Sequence, residues 1–203
     1  LKKLNFRDEK IWVYPNFIES KNIKSTGREY KNQFVYAGRI SEEKGVEPLI
    51  AAFNNCNFKN IKLLIVGNGP KYKKFFNKYN SEYVIFKNQI NNKETLNLIQ
   101  KSLCVVTATK LYEGQPTLLC EASLLGVPSI FPSTGGVQEF FPSDYKYTFK
   151  QYDYQDLENK LKDFVEDTPK KIGQNNREFI KTYLDKDKLL NIFNETLKAE
   201  TRI

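Results

Sequence analysis

The chain has 203 residues, enough for one well-filled core or a core with an appendage. Apolar residues make up 40% and charged residues 28%, the balance of a globular chain, and no apolar run approaches the roughly 20 residues needed to span a bilayer. The net charge of +8 would suit nucleic acid, an anionic membrane face or phosphorylated small molecules; the lysines are spread along the whole chain with no nucleic-acid module beside them, so nucleic acid is not an expected partner and a solvated lysine-rich surface accounts for much of the charge.

In chain order, the polar lead-in LKKLNFRDEK has no apolar core after its charges and does not read as a secretory leader. It is followed by one apolar knot, IWVYPNF, at Ile11–Phe17. QFVYAGRI (Gln33–Ile40) predicts a strand ending at Gly38, and EPLIAAFNN (Glu47–Asn55) a helix. IKLLIVGNG (Ile61–Gly69) predicts a second strand closed by glycines, with a helix after it over Tyr72–Tyr79. A short third strand is expected at Tyr83–Phe86, and Leu96, Ile99 and Leu103 give Asn92–Ser102 a helical spacing. Further strands are expected at Leu103–Thr109 and Pro128–Phe131, with a sixth at an edge over Tyr145–Phe149. Between them Thr117–Leu125 is almost wholly apolar and predicts a helix, with Pro116 suited to its first position. After Lys150 the segments Tyr154–Glu166, Pro169–Tyr183 and Lys186–Lys198 read as charged amphipathic helices.

The strands are short, continuous and rich in Val, Ile, Leu and Phe, without the alternation of a half-exposed strand, so both faces are covered. Strands of that kind alternating with helices predict an α/β fold, a Rossmann-like doubly wound parallel sheet with extra C-terminal helices.

In such a sheet, ligands bind beyond the carboxyl ends of the strands. Those ends read AGRISEEKG, GNGP, TKLYEGQP and FPSTGGVQEF, placing Arg39, Lys44, Glu113 and several glycines on one rim. The helix near Pro116 offers free backbone N–H groups with partial positive charge, and Gly114 leaves room for an anion upon them. Arg39 and Lys44 could add a planar fork and a point charge, or could pair with Glu42 and Glu43 at the surface. Glu121 is the puzzle. A carboxylate inside an apolar helix costs several kcal/mol unless it is hydrogen-bonded. Two adjacent sugar hydroxyls, capped backbone amides or a lysine could each supply the bonds. Histidine is absent, which removes the commonest general base and metal ligand. Cys56, Cys104 and Cys120 form no metal or disulfide pattern, so a reducing, cytoplasmic compartment is expected. Methionine is absent too, and the chain reads as a fragment.

FVYAGRISEEKGVEPLIAAF, LLIVGNGP and YEGQPTLLCEASLLGVPSIFPSTGGVQEF together resemble the nucleotide-sugar-binding half of retaining glycosyltransferases of family 4, with the GT-B fold. The likeness runs from about Ile11 to Phe149, and the C-terminal helices fit that family's usual ending. Its most specific element is E-x7-E, here Glu113 and Glu121, joined to G-R-x4-K, here Gly38, Arg39 and Lys44. The resemblance implies that Arg39 and Lys44 hold the donor diphosphate and that Glu113 meets donor-sugar hydroxyls. It implies that backbone N–H groups of Gln115, Pro116's neighbours, Thr117 and Leu118 meet phosphate, and that Glu121 binds the ribose. Gly67 and Gly69 would lie near the nucleotide. Asn88 stands near the base, where the family usually has glycine.

The implied organisation is a remnant and hinge over 1–16, with Asn16 at its turn, a donor-binding domain over 17–168, and packed helices over 169–203. An N-terminal acceptor domain would be missing. The implied substrate is a nucleotide diphosphate sugar, used without a metal or other cofactor in a hexosyl transfer such as polysaccharide biosynthesis requires. The fragment alone would bind donor nucleotide weakly and show little or no transfer. The lysine surplus would suit peripheral contact with the inner membrane face. A sugar-nucleotide epimerase half-domain and a non-catalytic nucleotide-binding module are the competing readings.

Overall fold

The computed structural model describes residues 13–18, 31–167 and 171–200. Most of the expected 1–16 remnant, and Pro169 at the expected start of a helix, lie outside the described residues. Six strands alternate with helices: β1 Gln33–Ala37, α1 Val46–Asn55, β2 Lys62–Val66, α2 Tyr72–Tyr79, β3 Val84–Lys87, α3 Asn92–Gln100, β4 Cys104–Val106, α4 Thr117–Leu124, β5 Ser129–Ser133 and β6 Thr148–Lys150. Three helices close the chain: α5 Tyr154–Asp167, α6 Ile172–Tyr183 and α7 Lys186–Glu200. The strands form one sheet in the order β3-β2-β1-β4-β5-β6, and every pairing is parallel. This is the doubly wound architecture expected from the sequence.

Successive strand residues alternate between two apolar layers, as the period of a strand requires. Phe34 and Tyr36 of β1, with Leu63 and Ile65 of β2, face a layer that includes Leu49, Ile50 and Phe53 of α1, Phe75 of α2 and Leu157, Leu161 and Phe164 of α5. Val35, Leu64, Val66 and Val105 face the opposite layer, with Ile99 of α3, Leu119, Cys120 and Leu124 of α4 and Ile180 of α6. Both faces are therefore dry, which is why the strands carry no polar alternation.

Local signals set the helix ends. The Asn91 side chain accepts the Glu94 amide at 2.9 Å and starts α3. At the end of α4, Gly126 N–H reaches Ser123 O and Val127 N–H reaches Ala122 O, both at 2.8 Å, the pattern that turns a chain out of a helix at a left-handed residue. Pro116 caps α4 rather than occupying its first turn, because its ψ of 83° is not helical. The expected strand over Tyr145–Phe149 is confined to Thr148–Lys150. Tyr145 is half-buried for another reason: its hydroxyl accepts the Ser129 amide at 2.9 Å and donates to the Ser129 carbonyl at 2.6 Å, bracing the start of β5. The fourth strand likewise ends at Val106, three residues short of Thr109, where the chain leaves for the rim. No helix among the described residues is long and apolar enough to cross a membrane.

α6 is packed closely against the end of α4. A Cβ added to Gly173 of α6 would stand 2.0 Å from the Gly126 carbonyl oxygen behind α4, so the two backbones meet with no side chain between them. Gly173→Ala should therefore cost about 2–3 kcal/mol by overpacking. In a chain of this size that lowers Tm by about 4–12 °C in a thermal melt. Gly136→Ala, whose added Cβ would meet nothing closer than 3.5 Å, should move Tm by less than about 2 °C and serves as the control.

Candidate functional site

The chain leaves β1 for α1 and β2 on one side and leaves β4 for α4 and β5 on the other. The carboxyl ends of these neighbouring strands thus open into a gap that neither helix covers. Two adjoining clefts occupy it. The first, about 280 Å³, includes Tyr36, Arg39, Lys44, Thr109, Glu113 and Thr117 in its lining. The second, about 430 Å³, includes Gly67, Asn68, Gln89, Ile90, Asn92 and Glu121. Ala37, Gly38, Arg39 and Leu118 line both, so the two hollows form one bent groove with Arg39 at the elbow.

Glu113 is the best-anchored group. Its Oε1 accepts from Lys44 Nζ at 2.6 Å and from Thr109 Oγ1 at 3.0 Å. Its carbonyl accepts from the Gly136 amide at 2.9 Å. Gly135, at φ +56°, packs so tightly that a Cβ would fall 1.9 Å from that carbonyl oxygen. Lys44 therefore pairs with Glu113, not with Glu42 or Glu43; Glu42 is taken by Lys71 at 3.2 Å. Arg39 only approaches Glu43, at 3.9 Å, with its side chain 66% exposed, and an ion pair of that kind adds little. Arg39 lines the elbow itself. The backbone beneath it is fixed by the Tyr36 hydroxyl, which donates to the Arg39 carbonyl at 2.8 Å. Burial first, and then the charges of Glu113 and Glu43, push the Tyr36 hydroxyl well above its ordinary pKa, so it stays a proton donor.

α4 presents its N-terminus to the groove. Thr117 and Leu118 line the first cleft, and no side chain caps their helix. The free amides of a first turn carry partial positive charge, which adds to the two cations. Glu121, one turn further in, is half-buried and opens into the second cleft. Among the described residues it caps no backbone amide and pairs with no lysine; the Asn92 side-chain amide donates to it at 3.1 Å. Burial and the Glu121 charge push the neighbouring Cys120 thiol up to about 12.

The structure thus gathers Gly38, Arg39, Lys44, Glu113, Gln115, Pro116, Thr117 and Leu118 around the first cleft, and Gly67 and Glu121 around the second. Gly114 lies exposed beside them, with nothing within 4 Å of where a Cβ would stand. Gly69 and Asn88 stand just outside the lining. Gly69 backs onto the Ile40 carbonyl, and the Asn88 side chain is turned onto the Gln89 amide at 2.8 Å, so Asn68, Gln89 and Ile90 face the hollow instead. Sequence reasoning also passed over Tyr36, Thr109 and Asn92. Thr109 was findable, since it sits four residues before Glu113 on a strand-end loop; Asn92 needed the tertiary fold. Among the described residues, no group of three or more His, Cys, Asp or Glu side chains converges as a metal site. What the groove can do is hold an elongated anion at its elbow and offer a carboxylate to hydroxyls on either side.

A family model described as "Glycosyl transferases group 1" matches residues 18–179. Protein CapJ of Staphylococcus aureus is 35% identical over 91 residues, covering 43% of this chain and 23% of CapJ. Among solved structures, HepE of Anabaena in complex with UDP superposes with a TM-score of 0.84 at 19% identity, covering 98% of this chain and 60% of that one. Sucrose-phosphate synthase of Thermosynechococcus elongatus gives a TM-score of 0.78 at 20% identity, covering 93% of this chain and 52% of that one. At these identities the structural likeness is one of fold. The chain spans less than two thirds of each of these proteins.

If Glu121 serves a ligand rather than the core, removing its charge should leave the fold intact. Glu121→Gln keeps an acceptor for Asn92 and should shift Tm by less than about 2 °C, since substitutions outside buried networks change stability by about 0.5 kcal/mol or less. A fall beyond about 5 °C would make the carboxylate a structural group instead.

Proposed function

The chain belongs to the glycosyl transferases group 1 family, and from that premise we propose that it is the donor-binding half of a retaining, family 4 enzyme that moves a sugar from a nucleotide diphosphate sugar to an acceptor hydroxyl. One observation carries the reading: Glu113 and Glu121 open into adjoining hollows that share Arg39, and Lys44 stands at one of them. A nucleotide sugar has that layout, with a hydroxyl-bearing ring at each end and a diphosphate between.

In this reading the second cleft takes the nucleoside, with Glu121 bonded to the two ribose hydroxyls. The diphosphate lies at the elbow against Arg39, Lys44 and the first-turn amides of α4. The sugar sits in the first cleft, where Glu113 positions its hydroxyls. Charge builds on the diphosphate as the glycosidic bond breaks, and positive groups already in place stabilise it without reorganising. Lys44 is held ready by Glu113 and exchanges one carboxylate oxygen for phosphate when donor arrives. The acceptor would come from a further domain of the intact protein. The chain by itself binds donor nucleotide and does not transfer, and the cations do the work a divalent metal does elsewhere.

Calorimetric titration with UDP, GDP and ADP tests the reading. At least one should bind, with affinity unchanged by EDTA; a loss with EDTA would reveal a metal requirement. A charge-assisted hydrogen bond is worth about 1.5–3 kcal/mol, so Arg39→Ala with Lys44→Ala should weaken binding by at least about 100-fold. Glu121→Gln should weaken it by about 5–20-fold, and an unchanged affinity would remove the ribose role.

A further inference from the structure

Gln115 lines the first cleft, but its side-chain amide is engaged elsewhere. Its Nε2 donates to the Asn16 carbonyl at 2.7 Å, and its Oε1 accepts from the Asn16 amide at 2.7 Å, across 99 positions of sequence. A primary amide matched face to face with a peptide group is a specific pairing. Glu can only accept, Asn is one methylene shorter, and Ala offers nothing. The lead-in segment, residues 13–18, is otherwise held by α7, through the Tyr14 and Phe193 rings at 5.4 Å and Lys186 over the Phe17 ring at 5.2 Å, and by partial burial of Ile18 against the sheet's second apolar layer.

We infer that Gln115 is a positioning residue that couples the lead-in segment to the groove, so that filling the groove tightens the segment's hold. The inference rests on the donor reading above. Residues 113–116 form the turn on which phosphate and sugar would bear. Gly136 and Lys44 hold that turn at Glu113, and Asn16 holds it at Gln115. A ligand seated on the amides beyond Pro116 needs the turn in this one position, and so does the Asn16 pairing. Each therefore favours the other, and by reciprocity a displacement of Asn16 lowers ligand affinity by the same factor that ligand strengthens the pairing, about 5–10-fold for two hydrogen bonds.

Hydrogen–deuterium exchange of peptides spanning 13–18, with and without the best-binding of UDP, GDP and ADP, tests this on the 203-residue chain alongside calorimetry. In the wild type, saturating nucleotide should slow exchange there by about 5-fold or more. Gln115→Ala and Gln115→Asn should still bind nucleotide, within about 10-fold of wild type, while the segment exchanges fast and no longer responds to it. A wild-type segment that ignores bound nucleotide, or an Ala variant that keeps the linked slowing, overturns the coupling and leaves the donor reading standing. If no nucleotide binds by calorimetry, the donor reading fails and the coupling fails with it.

Discussion

Between β1 and β4 the connections of a parallel sheet part: the chain goes from β1 towards β2 and β3, and from β4 towards β5 and β6. The strands are in hydrogen-bonded register, Phe34 with Cys104 and Val35 with Val105, so their carboxyl ends stop side by side. The helices that follow must diverge to cover opposite faces, and the gap between their N-termini cannot be filled by the fold itself. Each group in the groove is where it is because of this. Arg39 and Lys44 ride the loop after β1, while Glu113 and α4 follow β4. Residues 69 positions apart in sequence meet as the Lys44–Glu113 pair without any segment having to reach.

Within the groove the acid and the ammonium balance one another. Glu113 has a side chain only 27% exposed, and a carboxylate so placed needs partners whether or not a ligand is present. Lys44 and Thr109 provide them. Lys44 in turn is held at a defined point, so its four-carbon stem has given up much of its freedom before any ligand arrives. Arg39 is arranged the opposite way: its backbone is pinned by Tyr36 and its guanidinium is loose. A fixed ammonium and a swinging fork suit an anion that enters from solvent and is then enclosed.

The sheet, its parallel sense and the identity of its helices were legible in the sequence because the strands are short apolar runs, the first two closed by glycine, and that pattern depends only on local residues. Boundaries were less legible. The Tyr145–Phe149 run looked like a strand through Tyr145 and Tyr147, yet Tyr145 is held by a hydrogen-bonded brace to Ser129, a tertiary contact with no periodicity. In the groove, charged residues at strand ends were visible for the same reason the strands were. The residues that hold them were not: Asn92 comes from α3, and the Gln115–Asn16 pairing joins parts of the chain whose proximity no spacing encodes. Gly69 and Asn88 were expected to bind substrate and instead stand beside the lining, because chain position fixes which loop a residue belongs to and not which way the side chain turns.

The same distinction explains how a carboxylate comes to lie in an apolar helix. α4 is buried at Leu119, Cys120, Ala122, Ser123 and Leu124, so most of its circumference is packed. Thr117, Leu118 and Glu121 are the exceptions, and positions three and four apart fall on one face of a helix. That face is the one turned to the gap between the sheet's two halves. The helix therefore reads as apolar all round in sequence while keeping one narrow stripe wet. Glu121 sits on that stripe with Asn92 donating to one oxygen, and a carboxylate has about four lone-pair sites to satisfy. The fold supplies the geometry that makes the acid tolerable and leaves most of its hydrogen-bonding capacity directed into the groove, which is the condition a hydroxyl-bearing ligand would require.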